Sequence, residues 1–445
     1  MKKHILTLLV LSGAAQAADY RIYPTFSEVL EQVTPQNGQY TFTIDQNDLC
    51  QVFPSSIGLK NAEVESYLVT TRTVPWLSQL QGKRVAVKDS YGVHPAIVVR
   101  IEGQVLLVQD EVTKRYYTTT AASLEFFEAP STFQDQTEVA YQFQLGQTDQ
   151  PELHYLTGAV TWKPLYALEV EGDSATLRAW AEVSNQTAKT LKVDHADLFG
   201  GDVNRPAQKF PSCGGYAPQA YYNKAYDGLA DMAAAPIVAQ EAVSVPQATA
   251  GGIYKYEVSK VFEVPSRATY ALPLQDADVP EVKRVLTHIQ NFSYGNQKGL
   301  LDRVYRFEAP EFLLGGQFTV RDEDFFIGES VIAHAAKGKE LSVQVGSAPE
   351  VTYDRTIQML SQERVEVNNL DRIREVYLVT VVLKSFKDAP VNVEYQESMN
   401  ALGRTWVVLE DQGKVVRENN FGYQGILQPE EEKTLQFKLQ TERPY

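Results

Sequence analysis

The sequence predicts a mainly β protein, a small N-terminal β-barrel followed by β-sandwich domains, and three observations carry that reading. Tyr and Phe are abundant, at 24 and 19 residues, and β-branched residues recur in short runs of strand length. Gly, Asn and Asp punctuate those runs where turns are needed. Leu177, Ala179, Ala181 and Val183 alternate with Arg178, Trp180, Glu182 and Ser184, the two-residue period of a strand with one wall on a core.

The chain opens with Lys2 and Lys3, a short apolar run over 5–11, and Ala15-Gln16-Ala17. A charged start, an apolar stretch too short to span a bilayer and a small-x-small site describe a signal peptide at 1–17. The mature protein is therefore expected to begin near Ala18. Residues 18–75 form an N-terminal β segment with one expected helix, at 26–32. Residues 76–130 are expected to make the small β-barrel: 83–88, 96–101 and 104–108 are strand-sized, Glu102-Gly103 suits a hairpin turn, and Tyr116-Tyr117 and 124–127 follow.

From 131 to 215 the strands lengthen, at 139–145, 152–160, 166–170, 176–184 and 190–198, with turns at Asn185-Gln186-Thr187 and Gly200-Gly201-Asp202. This is the first part of a β-sandwich. Residues 216–252 are rich in Ala, Pro, Gln and Tyr without either period, and are expected to be a flexible insertion. Tyr216, Tyr221, Tyr222 and Tyr226 give it docking contacts, or it is a plain solvent-exposed loop. The sandwich continues over 253–370, with a helical turn near 279–286, and a C-terminal β-sandwich closes over 371–445.

The formal net charge is −15, and losing Lys2 and Lys3 with the leader makes the surface more acidic still. Such a surface repels nucleic acid and anionic lipid, so neither is an expected partner. After the leader no run of eighteen apolar residues occurs, so no transmembrane helix is expected. The two cysteines, Cys50 and Cys213, read most simply as a disulfide in an oxidising compartment, or else as two separate buried thiols.

His94, His154, His195, His288 and His334 show no local metal spacing, and no G-x-S-x-G elbow is present, so no catalytic residue is assigned. The candidate metal ligands are His154, His195, Asp197 and His334. Asp197 follows His195 on the same strand face, and the others lie on separate strands. An exported histidine site would suit copper or zinc, and copper would permit the chemistry of a superoxide dismutase-like protein. Asp322-Glu323-Asp324 reads as a solvated turn rather than a Ca²⁺ loop, which needs six or more oxygens.

Several stretches point further. Residues 155–166 read Tyr-Leu-Thr-Gly-Ala-Val-Thr-Trp-Lys-Pro-Leu-Tyr; Val183-Ser184-Asn185-Gln186-Thr187 and 197–203 follow. Gly316 to Asp322, Phe326-Ile327-Gly328-Glu329, His334, 341–346, 391–394 and 427–430 continue the order. Over about 150–440 the chain resembles the uncharacterised domain of mucoidy-inhibitor-A-like proteins, exported bacterial β proteins. That family commonly carries a coiled coil upstream, which this chain lacks. The resemblance implies a mainly β fold and an envelope setting, and it supplies no catalytic residues. From the residues themselves, Trp162 reads as a core aromatic, and Gly316 and Gly328 as hairpin glycines.

These readings converge on an exported protein of the periplasm or outer cell envelope. It is expected to be a binding or assembly module that pairs, through strand edges or sandwich faces, with another envelope protein or a surface-layer component. The alternative is the copper-dependent, superoxide dismutase-like protein.

Overall fold

The computed structural model describes residues 18–45, 48–90, 92–205, 247–248, 250–274, 276–368, 370–399, 405–411, 415–417 and 420–445. Among them every regular element is a strand or a short 3₁₀ turn, so the protein is mainly β. The leader expected at 1–17 and nearly all of the insertion expected at 216–252 lie outside the described residues.

The first sandwich packs two sheets. One runs in the order Gln247–Ala248, Tyr254–Val258, Leu191–Gly200, Ala18–Ile22, Ser27–Gln32, Gln136–Thr157, Gln39–Ile44. The other runs Ala268–Pro273, Ser174–Asn185, Val160–Glu171, Gly316–Asp322, Phe325–Ile332. Ile22, Trp162, Leu168, Leu177, Val183, Leu198 and Phe318 fill the space between them. Strand Ser174–Asn185 buries every second residue, so the alternation was read on the correct faces. Its last residue, Asn185, is buried yet satisfied. Its amide donates to the carbonyls of Lys189, Val264 and Pro265, and its oxygen accepts from Thr187. That is how the Asn-Gln-Thr turn is fixed.

Strand Gly58–Val74 pairs along Gln136–Thr157 from Val74↔Gln136 onward, and the other side of Gln136–Thr157 is taken by Gln39–Ile44 and Ser27–Gln32, so only the tip at 136–138 is a two-stranded ribbon. A small barrel-like sheet is inserted where the ribbon ends, in the order Tyr116–Thr120, Val105–Asp110, Gly92–Glu102, Arg84–Asp89, Leu124–Phe126. It has its own core of Leu77, Leu80, Val85, Ala96, Val98, Leu106 and Val108. Gly103, at φ +62°, makes the expected hairpin turn.

The second sandwich is one nine-stranded sheet: Thr405–Asp411, Glu432–Pro444, Leu370–Ser385, Glu340–Val367, Gln297–Glu308, Lys283–Asn291, Val391–Ser398, Asn420–Leu427, Val415–Arg417. The sheet folds over on itself. Phe421 and Phe437, from strands near its opposite ends, meet with ring centroids 4.7 Å apart.

Three expectations are corrected. Residues 27–32 are a strand, not a helix, because they hydrogen-bond on both sides, to Ala18–Ile22 and to Gln136–Thr157. The 279–286 turn is replaced by the end of strand Ala277–Val279 and the start of Lys283–Asn291. The second sandwich begins near 283 rather than 371. Strand Glu340–Val367 crosses between the two sandwiches: Val343 and Val345 belong to the first core, Ala348 and Val351 to the second. The alternation of this strand breaks where it changes cores, with paired exposed residues at 346–347 and 349–350, a local interruption that reads in sequence like a bulge within one sheet.

One polar cluster joins the two sandwiches. Arg284 donates twice to Asp322, at 2.7 Å each, and once to the carbonyl of Gly172. The Tyr305 hydroxyl donates to Asp322 at 2.7 Å. Asp322 is thus a structural anchor and not part of a solvated turn.

Candidate functional site: a stacked column beside a small cleft

The turn between Ala18–Ile22 and Ser27–Gln32 carries Tyr23-Pro24-Thr25-Phe26, and its backbone is tied by a Tyr23 N–H to Phe26 carbonyl bond of 2.8 Å. Tyr23 stacks on Phe26 (4.5 Å, 10°) and on Phe199 (4.9 Å, 14°). The Arg205 guanidinium lies 4.5 Å over Phe26 and 3.9 Å over Phe53. A ring has two faces, so these contacts order themselves as one column: Phe199, Tyr23, Phe26, Arg205, Phe53. Each stacked pair contributes about 0.5–1.5 kcal/mol beyond its buried area, and cation–π contacts contribute comparably. Burial draws the Arg205 guanidinium below its ordinary pKa.

Beside the column is a cleft of about 190 Å³ lined by Tyr23, Pro24, Thr25, Phe26, Gly201, Asp202, Val203 and His334. Glycines allow its walls to approach. Gly201 has φ +123°, and a Cβ there would lie 2.9 Å from the Gly252 carbonyl oxygen. His334 accepts the Gly315 N–H at Nδ1, at 2.7 Å. With Nδ1 an acceptor, the neutral ring carries its proton on Nε2, which remains a donor. Nearby, Glu311 is half-buried and pushed up to about 7, by burial and against the pull of Lys337.

The expected metal set is not assembled. Register places His154, Leu30, Asp19 and His195 in one row across four adjacent strands. His154 and His195 are therefore three strand spacings apart, roughly 14 Å, too far to share an ion bound at about 2 Å by each. His154 packs over Gly58, where a Cβ would fall 2.6 Å from its Cε1. Burial, then Lys60, lowers its pKa. His195 is exposed, its Nε2 3.9 Å from Asp197, whose closer partner is Lys255 at 3.1 Å. His334 sits alone in the cleft. Among the described residues no group of three or more His, Cys, Asp or Glu side chains could hold a metal ion. Cys50 is described and no free cysteine occurs among the described residues; Cys213, its expected partner, lies outside them.

Of the sequence candidates only His334 belongs to the cleft. Arg205, Tyr23, Phe26 and Phe53 were missed, because the column draws on three separated turns with no shared spacing. The one usable signal was the Gly200-Gly201-Asp202 turn. No family model matches the chain, and no curated protein matches it.

Proposed function

We propose that the protein is an exported binding or assembly module of the cell envelope, engaging another envelope protein or a surface-layer component through a sheet edge. The observation that carries this reading is strand Gly58–Val74. Among the described residues it pairs on one side only, with Gln136–Thr157, and leaves a seventeen-residue edge. It exposes Tyr67, Leu68 and Val69. A long edge with apolar side chains is a template for adding a partner strand. Support for export comes from the leader at 1–17, and for an oxidising compartment from the Cys50–Cys213 pair, expected to be bridged.

The test places a photo-cross-linking residue at Leu68 in mature protein and exposes it to the envelope fraction. A discrete cross-linked product is expected, and it should vanish in the Tyr67→Lys/Val69→Lys double variant, whose added charges block strand addition. Equal labelling of both proteins, or none of either, refutes edge pairing. N-terminal sequencing should find Ala18 first, and non-reducing peptide mapping should recover the Cys50 and Cys213 peptides as one species.

A further inference from the structure

We propose that Arg205 and the adjoining cleft form a recognition site for the free carboxylate end of a polypeptide. The proposal rests on the binding-module reading and names the chemistry of one partner segment. Arg205 is half-buried, and its guanidinium carries five N–H groups that a carboxylate or a set of carbonyls would answer. Arg205 meets two rings instead. Among the described residues its polar and ring contacts are those with Phe26 and Phe53, and no acceptor pairs with it. The two rings flank its Cζ at 4.5 and 3.9 Å and offer no acceptor to the N–H edge. That edge is the part that grips a carboxylate with two parallel hydrogen bonds.

The neighbouring groups narrow the ligand. Phe26 belongs to both the column and the cleft, so whatever occupies one borders the other. Tyr23, Pro24, Phe26 and Val203 give the cleft an apolar lining for one side chain. Asp202, exposed on the same rim, is an acceptor for an amide N–H. His334 offers Nε2–H, since Gly315 occupies Nδ1. An acceptor for an amide, an apolar recess and an unpaired cation together match the last residue of a chain: its N–H, its side chain and its carboxylate. The surrounding surface is acidic overall, at −15 for the whole chain. An unpaired arginine there is a local exception that distinguishes a single carboxylate from a polyanion.

The test uses the full-length mature protein and a fluorescein-labelled pentapeptide ending in phenylalanine, with either a free carboxylate or a C-terminal amide. The acid form should bind at least about tenfold more tightly than the amide, the difference of one charge-assisted hydrogen-bonded contact. Arg205→Gln should remove that preference, and Arg205→Lys should restore part of it. The acid–amide comparison is made on the unaltered protein, so it stands even if a variant fails to fold. Equal binding of acid and amide, or no binding of either, overturns the site. N-acetyl-phenylalanine binding as tightly as the peptide acid would mean a small carboxylate ligand and overturn the chain-end assignment. So would tighter binding of polygalacturonate. Loss of edge cross-linking at Leu68 would leave the acid–amide difference untouched, so the two readings fail separately.

Discussion

Arg205 and Arg355 occupy contrasting environments, one in each sandwich. Arg355 is wholly buried, and all three of its guanidinium nitrogens are engaged. It donates to Glu397 from Nε (2.6 Å) and Nη2 (3.0 Å), and to the carbonyls of Gly295 and Ser293. The Tyr395 hydroxyl donates to the same carboxylate. Together they pin the 293–296 hairpin against the second core. Arg205 lies over two rings and, among the described residues, meets no acid. A buried arginine whose nitrogens all meet acceptors serves the fold; one that meets only rings is available to something else. Charge alone does not separate these two cases; burial, complete for Arg355 and partial for Arg205, and the partners do.

The largest expected effect is at Arg355. Glu397→Gln should destabilise the protein by about 3–5 kcal/mol, because it leaves a buried cation uncompensated. Arg355→Met/Glu397→Leu should cost far less, since it removes both charges together. Chemical denaturation of the three proteins checks this. A single variant no worse than the double would mean that Arg355 is no more a structural residue than Arg205.

Next is the joint between the sandwiches. Asp322→Asn should cost about 1.5–3 kcal/mol, the worth of hydrogen bonds to a charged group, and should separate the unfolding of the two sandwiches in calorimetry. Burial raises the Asp322 pKa, but bonds from Arg284 and Tyr305 prevail and hold it below the usual value. A depressed carboxylate stabilises the fold above its unfolded pKa of about 3.9, and that contribution is lost as pH falls through the lower folded value. The wild type should therefore lose stability below about pH 4 more steeply than Asp322→Asn. Arg205→Gln, by contrast, should cost only about 0.5–1 kcal/mol of cation–π energy. A loss as large as that of Glu397→Gln would place Arg205 among the structural arginines.

The sequence made much of this fold legible because a half-buried strand writes its faces directly into its residues. Leu177 to Val183 and the Gly103 hairpin were readable for that reason. Residues 27–32 were not: buried Val29 and Leu30 are adjacent, which breaks the alternation and mimics a helical face. The sandwich boundary was hidden because one strand feeds two cores. The site was the least legible part. His334 stood out as a histidine, but Arg205 is one of many arginines until Phe26 and Phe53 arrive from distant turns. The metal reading failed on strand spacing, a distance that sequence does not contain.

The smallest effects separate the two sandwiches by their response to pH. Glu311, beside the first core, is raised by burial to about 7 from an ordinary 4.5, against the pull of Lys337. A group raised on folding stabilises fully below its unfolded pKa, so this contribution should fade as pH rises from about 4.5 to about 7. His288, in the second sandwich, stacks 3.9 Å from Tyr353, and among the described residues its buried Nε2 has no hydrogen-bond partner. Burial lowers its pKa, against Gln290, Glu397 and Asp302. The unfolded chain then binds the extra proton, so stability should rise with pH up to about 6.5, the unfolded histidine value. Glu311→Gln should remove the first slope and His288→Phe the second, the ring being kept for its stacking. Melting temperatures between pH 4.5 and 8 read both. If Glu311→Gln left the slope unchanged, or if His288→Phe steepened it, these groups would not titrate as their surroundings require, and the pH contrast between the sandwiches would be lost.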